Sequence, residues 1–418
     1  MPSQHPAGRR RGSVGRGARH ALGNEQGLAL VLTLFVVALV TVLVLEYHFD
    51  AIVELDLATN YASDVQAYHL ALAGVRFAQV VLQQDDPRVD GPDDAWYKLG
   101  MVPACFAPQQ LLALATSGGG KGLPTAGRET PRPPDRPLTQ VSTGDVGCIR
   151  LRITDEESKL PINALLPSPG AGPPPAGANP APDPTWLAIF QAFFTSFHLD
   201  PEVSEALLDW MDADDTPRSA GGAERAYYAQ LPVPYTPPNR PMRTPGELRL
   251  VKGLDTPVAW ATLFPGSSPD AVADLDLGSN AYLTTFVGAT PPSQTPTQGT
   301  PSSQTPAQVN LNTAPPEVLT ALIAGVQPGN SAAVTTVQDI VARRQEKQFT
   351  TLQEAVENGT LRAALGKVAA VNSMYFRIES VGVVGLVQKK IVAVLKRAPA
   401  PAPPLTPSPL PLLYWKVE

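Results

Sequence analysis

An uninterrupted apolar segment constrains this chain more than any other feature of its sequence. It runs over eighteen residues from Leu28 to Leu45, directly after Gly27, and contains no charged residue. At the helical rise of 1.5 Å per residue it would span roughly 27 Å, close to the hydrocarbon thickness of about 30 Å in a bilayer. Because no second segment of this length is as apolar, the chain is predicted to cross a membrane once.

The residues on either side of this segment indicate how it is processed. Residues 46–50 contain no small-residue site of the kind that follows an ordinary secretory signal. Gly27 instead stands before the segment, after a leader that carries Arg9, Arg10, Arg11, Arg16 and Arg19. This order resembles the class III signal of type IV pilins and type II secretion pseudopilins, in which a peptidase cuts after the glycine and the apolar helix becomes the new N-terminus. A plain, uncleaved signal anchor is the alternative.

One position departs from the pilin pattern. Most pilins carry Glu at the fifth mature position, where it can neutralise the N-terminal amine of the subunit above. Counted from Leu28, that position is Leu32, which cannot accept a charge-assisted hydrogen bond. The sequence therefore indicates a subunit that has none stacked above it.

Length and charge bound the remaining possibilities. The 418 residues exceed one compact core, so two or three domains are expected. The net charge is −6 although the leader is basic, so the rest of the chain is distinctly acidic. An acidic body disfavours nucleic acid or anionic lipid as the main partner. A basic leader before the span predicts a cytoplasmic N-terminus and an exported body.

The chain contains two cysteines, Cys105 and Cys148. In an exported body such a pair suggests a disulfide, whereas buried thiols are the default in a reducing compartment. No spacing rule decides between them.

Periodicity predicts a mixed α+β fold. Apolar residues recur at helical spacing up to Gln84, so Leu28–Gln84 is predicted to form one long helix; an anchor followed by a separate amphipathic helix is the alternative. Cys148–Asp155 alternates like a half-buried strand, and Leu160–Leu165 is predicted to be a second short strand. Tyr375–Val383 and Leu386–Lys396 are predicted to be two antiparallel strands.

Between these strands the periodicity is helical, which predicts a large all-α domain inserted into a pilin-like sheet domain. Proline-rich, low-complexity tracts interrupt the pattern. The predicted boundaries are a cleaved leader (1–27), a transmembrane and amphipathic helix (28–84), the first part of the core (85–166), the inserted domain (185–372, with a tract at 290–308), the closing strands (373–397) and an extended Pro-rich tail (398–418).

The densest acidic constellation is Asp209, Asp212, Asp214 and Asp215, followed by Glu224 after Gly221–Gly222. Asp209 and Asp212 would share a helix face, with Asp214 and Asp215 where that helix unwinds. Converging oxygen donors on a flexible loop suit Ca²⁺, although the order is not that of an EF-hand. A solvated helix end is the alternative, but acids at a helix C-terminus oppose the macrodipole.

Two further segments, 245–263 and 312–333, each read as helix, glycine turn and helix. Helix-hairpin-helix units of this kind can grip DNA phosphates, but these segments carry few basic residues, so compact helical packing is the better interpretation. The sequence has no Gly-rich phosphate loop and no nucleophile elbow, so its motifs do not indicate an enzyme.

Taken together, these segments resemble the minor pseudopilin K family of type II secretion systems (general secretion pathway protein K). The resemblance rests on the apolar helix without Glu at position 32, on ITDEESKLPINAL (153–165), on LLDWMDADDTPRSAGGAERAYYAQ (207–230), on VNLNTAPPEVLTAL (309–322) and on FRIESVGVV (376–384). The strand motif usually has Gly before the Lys and two Asn, whereas Ser158 and a single Asn163 stand here.

The resemblance implies a pilin-like domain with an inserted SAM-like helical domain. It also implies calcium in the insert, at the Asp209–Glu224 cluster. The implied partners are minor pseudopilins I and J, other pseudopilins, the inner-membrane assembly platform and a prepilin peptidase, with the body in the periplasm at the tip of a pseudopilus. A type IV pilus minor pilin or DNA-uptake component, and a membrane-anchored scaffold unrelated to filaments, remain as alternatives.

Overall fold

The computed structural model describes residues 22–101, 104–116, 147–167, 181–264, 281–286, 307–329, 332–397 and 410–418. Most of the predicted leader, residues 117–146 and most of the Pro-rich, low-complexity tracts lie outside these residues. The chain divides into two compact units, Met1–Ala62 and Ser63–Glu418.

The first helix, α1, is Leu22–Gln84, which confirms the prediction of one continuous helix. From Gly27 onward it is long and apolar enough to cross a membrane, and no other described helix meets that test. In the first unit its large apolar side chains, from Leu28 to Tyr61, are exposed. Such a surface is stable in water only when lipid or another protein covers it.

The second unit is built on a four-stranded antiparallel sheet. Its strands are β1 (Cys148–Asp155), β6 (Tyr375–Val384), β7 (Val387–Lys396) and β8 (Leu412–Val417), in the order β1-β6-β7-β8. β1 and β6 are neighbours, with Asp155 opposite Phe376, although more than two hundred residues separate them in the chain. The predicted α+β fold with an insertion between adjacent strands is confirmed.

The C-terminal part of α1 packs on this sheet at very short range. A Cβ added to Gly382 of β6 would lie 1.9 Å from the carbonyl oxygen of Ala67 and 2.8 Å from the amide nitrogen of Ala71. Alternate residues of β1, such as Ile149 and Ile153, are buried on the helix side together with Val75 of α1. Small residues on both surfaces therefore permit the close contact that builds the core of the pilin-like domain.

The remaining elements are short. Before β1 lie α2 (Ala95–Met101) and α3 (Pro108–Thr116). The insertion contains helices α4 (Pro184–Ser196), α5 (Val203–Met211), α6 (Arg225–Tyr228), α7 (Pro257–Leu263), α8 (Pro316–Val326), α9 (Ala333–Glu346), α10 (Leu352–Ala355) and α11 (Gly359–Leu365), with 3-10 turns at Glu156–Ser158, Ile162–Leu165 and Pro245–Leu250. Four strands of two residues each form two further parallel pairs. β2 (Leu160–Pro161) pairs with β3 (Leu283–Thr284), and β4 (Val309–Asn310) pairs with β5 (Ala369–Ala370).

Both predicted glycine turns are present in the insertion. Gly253 and Gly329 have φ values of +85° and +82° and precede α7 and α9 respectively. These angles lie in the left-handed region that favours glycine. The helices around them share one apolar core, which is distinct from the core between α1 and the sheet.

One strand prediction was wrong. Leu160–Leu165 is not one strand: only Leu160–Pro161 pairs, with β3, and the rest is a 3-10 turn. The tail carries a strand that was not predicted, since Leu412–Val417 adds β8 to the edge of β7. Both pairings are made with residues that are distant in sequence, which local periodicity cannot report.

Candidate metal centre

Three of the predicted acidic residues converge where α5 ends. Asp209 lies in the last turn of α5, and the helix stops at Met211, so that Asp212 caps it in an extended conformation. The predicted helical spacing of the two aspartates is thus replaced by a bend. Glu224 precedes α6 and reaches the same place because the chain folds back at Gly222. A Cβ on Gly222 would lie 2.1 Å from an Asp209 carboxylate oxygen, so any side chain there would displace that carboxylate.

The three carboxylates are close together and shielded from solvent. Each offers one oxygen, and these oxygens lie within 4.8 Å of one another. Asp209, Asp212 and Glu224 are 0%, 5% and 1% exposed. Asp212 Oδ1 and both carboxylate oxygens of Glu224 are buried without a hydrogen-bond partner. Buried carboxylate oxygens without a partner are costly, so this arrangement requires a proton or a cation.

Arg218 supplies positive charge to part of this cluster. Its Nε lies 2.9 Å from Asp212 Oδ2 and 3.8 Å from Asp209 Oδ1, but it leaves Glu224 without an ion pair in the described chain. Burial raises the pKa of Asp209 to about 6, and neighbouring Asp212 adds to the shift. Burial, followed by repulsion from Asp209 and Asp212, raises the pKa of Glu224 to about 8. The pKa of Asp212 is also raised by burial.

Asp214 and Asp215 do not join this group. Asp214 Oδ1 accepts a hydrogen bond of 2.8 Å from the backbone of Thr216, and Asp215 lies 3.4 Å from Arg225 on the surface. The backbone of Asp214 is held by Asn239, whose Nδ2 donates to the carbonyl of Asp214 at 2.7 Å. Asn239 Oδ1 is buried without a partner.

Sequence reasoning missed Asn239, because an asparagine in a Pro-rich turn carries no distinctive signal. Its backbone has a φ of +44°, a conformation that asparagine tolerates better than most residues.

The donor set fits a hard divalent cation. Carboxylate oxygens are the ligands that Ca²⁺ prefers, and further positions can be filled by backbone carbonyls and water. Lys252 steadies the glycine turn beside the cluster, since its Nζ donates to the carbonyls of Gly222 at 3.0 Å and Ala220 at 3.3 Å. The residues Asp209, Asp212 and Glu224 therefore fit calcium, and Arg218 partly compensates their charge.

The other predicted sites lie in the pilin-like part of the chain. Cys105 and Cys148 are joined in a disulfide, with their Cα atoms 5.4 Å apart. The sequence alone did not decide between this disulfide and two buried thiols. The bond holds the segment before Phe106 against the start of β1, and Phe106 pairs with Ile149. Gly27, Leu28 and Leu32 lie in α1, with the side chains of Leu28 and Leu32 exposed.

The fold and this site define a class: a membrane-anchored, pilin-like protein whose sheet domain carries an inserted helical block. The same architecture occurs in the crystal structure of the GspK-GspI-GspJ complex from the enterotoxigenic Escherichia coli type 2 secretion system. One chain there matches with a TM-score of 0.51 and 15% identity, over 84% of this chain and 96% of that one. At this identity the likeness concerns the fold.

Comparison of sequences finds similar proteins that share one name. Two family models, both described as type II secretion system (T2SS), protein K, match residues 158–265 and 309–373. Type II secretion system protein K of Pseudomonas aeruginosa is 24% identical over 89% of each chain. The Aeromonas hydrophila protein of that name is 25% identical over 60% of this chain and 68% of its own. These matches confirm the resemblance of the chain to protein K of type II secretion systems.

Proposed function

We propose that this chain assembles with minor pseudopilins I and J, caps the tip of a periplasmic pseudopilus and helps to begin its assembly. The observation that carries the proposal is the match of nearly the whole fold to GspK, a protein whose solved structure is a complex with GspI and GspJ. The role is structural rather than catalytic. It consists of binding neighbouring subunits through α1 and the sheet domain.

Two features of this chain support a position at the tip. In a packed filament an unpaired N-terminal amine would carry a desolvation cost, and Leu32 cannot neutralise the amine of a subunit above. The insertion between β1 and β6 also adds a helical block that subunits stacked above would have to avoid. Both features disfavour internal positions.

The assembly is tested by co-purification. The full chain is expressed in its own host with a C-terminal tag, extracted in detergent and recovered. Proteins resembling minor pseudopilins I and J are expected in stoichiometric amounts, whereas the major pseudopilin is expected in trace amounts. Recovery of the chain alone, from cells shown to contain both partners, would contradict the proposal.

We also propose that α1 anchors the chain in the inner membrane with its body in the periplasm, and that a prepilin peptidase cuts between Gly27 and Leu28 and methylates Leu28. The long apolar helix and the basic leader support this orientation. Mass spectrometry of the extracted chain should find an N-terminus at Leu28, and Gly27→Val should block the cut. An intact Met1 in a host with active peptidase would count against it.

Finally, we propose that Asp209, Asp212 and Glu224 bind calcium. The partnerless buried oxygens of the cluster support the site. A ligand that binds only the native state adds about 2.7 kcal/mol at a hundredfold excess over Kd. Chelation should therefore lower the melting temperature of the wild type but not of Asp212→Ala. Asp215→Ala, outside the cluster, serves as the control and should retain the response. An unchanged wild-type melting temperature on chelation would refute a stabilising calcium site.

A further inference from the structure

A second polar cluster lies where the inserted helices join the pilin-like sheet. Asp155, the last residue of β1, accepts hydrogen bonds on Oδ2 from Ser373 Oγ at 2.5 Å, Thr313 Oγ1 at 2.6 Å and Asn310 Nδ2 at 3.1 Å. Asn310 and Thr313 belong to the insertion, whereas Ser373 directly precedes the closing strands. One buried carboxyl group thus joins the end of β1 to the insertion and to the segment before β6.

The same residues continue to the end of α1. Asn310 Nδ2 also donates to the carbonyl oxygen of Asp90 at 3.1 Å, and the backbone of Ser373 donates to Asp90 Oδ2 at 2.7 Å. Arg397, which follows β7, pairs with Asp90 through Nη2 and with Asp85 through Nη1 at 3.0 Å. We call the set Asp85, Asp90, Asp155, Ser373, Asn310 and Arg397 the junction cluster.

The junction cluster contains more acid than base. Asp90, Asp155 and Arg397 are at most 5% exposed, and Asp90 Oδ1 has no hydrogen-bond partner. The other ionisable groups that act on Asp90 or Arg397 from adjacent elements are Asp94 after α1, Glu157 in the turn after β1, and the exposed Asp86. Arg397 is thus the one guanidinium that pairs with these buried carboxyl groups within the described residues. The nearby Glu156 is compensated separately, because Lys159 and Arg377 lie 2.9 Å and 2.6 Å from Oε1.

We propose that the junction cluster is a proton-dependent lock, which fixes the inserted helices to the pilin-like sheet at neutral pH and loosens when its carboxyl groups lose their protons in alkaline solution. Geometry carries the inference, because one arginine cannot compensate several buried carboxylates. A proton retained by Asp90 removes one excess negative charge. A neutral carboxyl group also costs less to bury with an unpaired oxygen than a carboxylate does.

The pKa shifts of these carboxyl groups have the direction that the proposed lock requires. Burial raises the pKa of Asp90 to about 8 and that of Asp85 to about 6, with Arg397 opposing both shifts. Burial also raises the pKa of Asp155. An acid whose pKa is raised in the folded state stabilises the fold below its unfolded pKa, and that stabilisation is lost as the pH rises through the folded pKa. The stabilisation that Asp90 contributes is therefore lost progressively from about pH 4, and its last part is lost between pH 7 and pH 9, where folded Asp90 gives up its proton.

The test compares the full chain in detergent with two variants at pH 7 and pH 9, in saturating calcium so that the metal centre stays constant. The wild type should lose on the order of 2–4 °C of melting temperature over this interval. Asp90→Asn, which keeps the shape without the acid, should lose less than half as much. Asp86→Asn is the control, because Asp86 is an exposed acid of the same loop whose pKa is lowered to about 2 by Arg88.

Hydrogen exchange locates the effect. With labelling times scaled for the intrinsic pH dependence of exchange, residues 309–313 and 369–374 should lose protection at pH 9 in the wild type but not in Asp90→Asn. Should Asp90→Asn fail to fold, Asp85→Asn replaces it. The charge of Asp85 raises the pKa of Asp90, so its removal should move the loss to lower pH and leave less of it between pH 7 and pH 9. A wild type that is equally stable at both pH values, or a variant that falls as steeply as the wild type, overturns the proposal.

Discussion

Replacing Glu224 with glutamine is expected to have opposite effects on stability in the absence and in the presence of calcium. Without calcium, ionised Glu224 is buried beside Asp209 and Asp212, and its two oxygens have no partner. Glutamine has nearly the same shape but no charge, so Glu224→Gln should stabilise the calcium-free protein in alkaline solution. With calcium, the variant lacks a charged ligand and should gain less stability than the wild type.

The magnitude follows from the titration of Glu224. Its pKa is raised from 4.5 to about 8, so the stability associated with its protonated form is complete below pH 4.5 and is lost as the pH rises toward 8. At about 1.36 kcal/mol per pKa unit, the full shift sets an upper bound of several kcal/mol. Screening by nearby solvent reduces the gain expected from Glu224→Gln at pH 8.5 to about 1–2 kcal/mol.

Urea unfolding of the full chain at pH 8.5, with chelator and with saturating calcium, measures both effects. The variant should have the higher midpoint in chelator and the lower midpoint in calcium. Asp215→Asn, an exposed acid outside the cluster, should follow the wild type in both conditions. A Glu224→Gln protein that is less stable in chelator and gains as much from calcium as the wild type would refute the assignment of Glu224 to the site.

Three further predictions concern the packing of the sheet domain. Gly382→Ala should lower the free energy of unfolding in urea by about 3 kcal/mol or more, because the new Cβ would meet the backbone of α1. Gly366→Ala is the control: its Cβ would have its nearest neighbour at 3.4 Å, so the free energy of unfolding should change by less than about 0.5 kcal/mol. Replacing Cys105 and Cys148 together by serine should cost about 4 kcal/mol, from closure of a loop of 43 residues, and an unchanged midpoint would show that the bond does not form. Truncation after residue 409 removes β8 and should expose β7 to faster hydrogen exchange, whereas unchanged exchange would contradict the pairing of these strands.

The elements with strong local periodicity could be predicted from the sequence. The long helix, β1 and the β6–β7 hairpin each carry an apolar repeat over at least eight residues. The insertion could also be inferred, because a helical block stands between strand patterns that match one sheet. β8 could not, since its six residues follow a Pro-rich segment and are placed only by pairing with β7.

The metal centre could be predicted only in part, because the fold decides which of the acids close in sequence come together. Sequence proximity suggested five acids, but the bend at Asp212 and the close approach at Gly222 select three of them. The junction cluster escaped sequence reasoning altogether. Its central contact joins Asp155 to Asn310 and Ser373, which are 155 and 218 residues away, and no local pattern encodes such distances.

Immunogold labelling of pseudopili tests the central claim most directly. Filaments are overproduced in the native host, and the chain carries an epitope in the exposed loop at Val233. The account predicts gold at one end of each filament, with about one chain per pseudopilus. Gold distributed along the shafts would contradict it, because it would place the inserted helices and Leu32 within the stack of subunits.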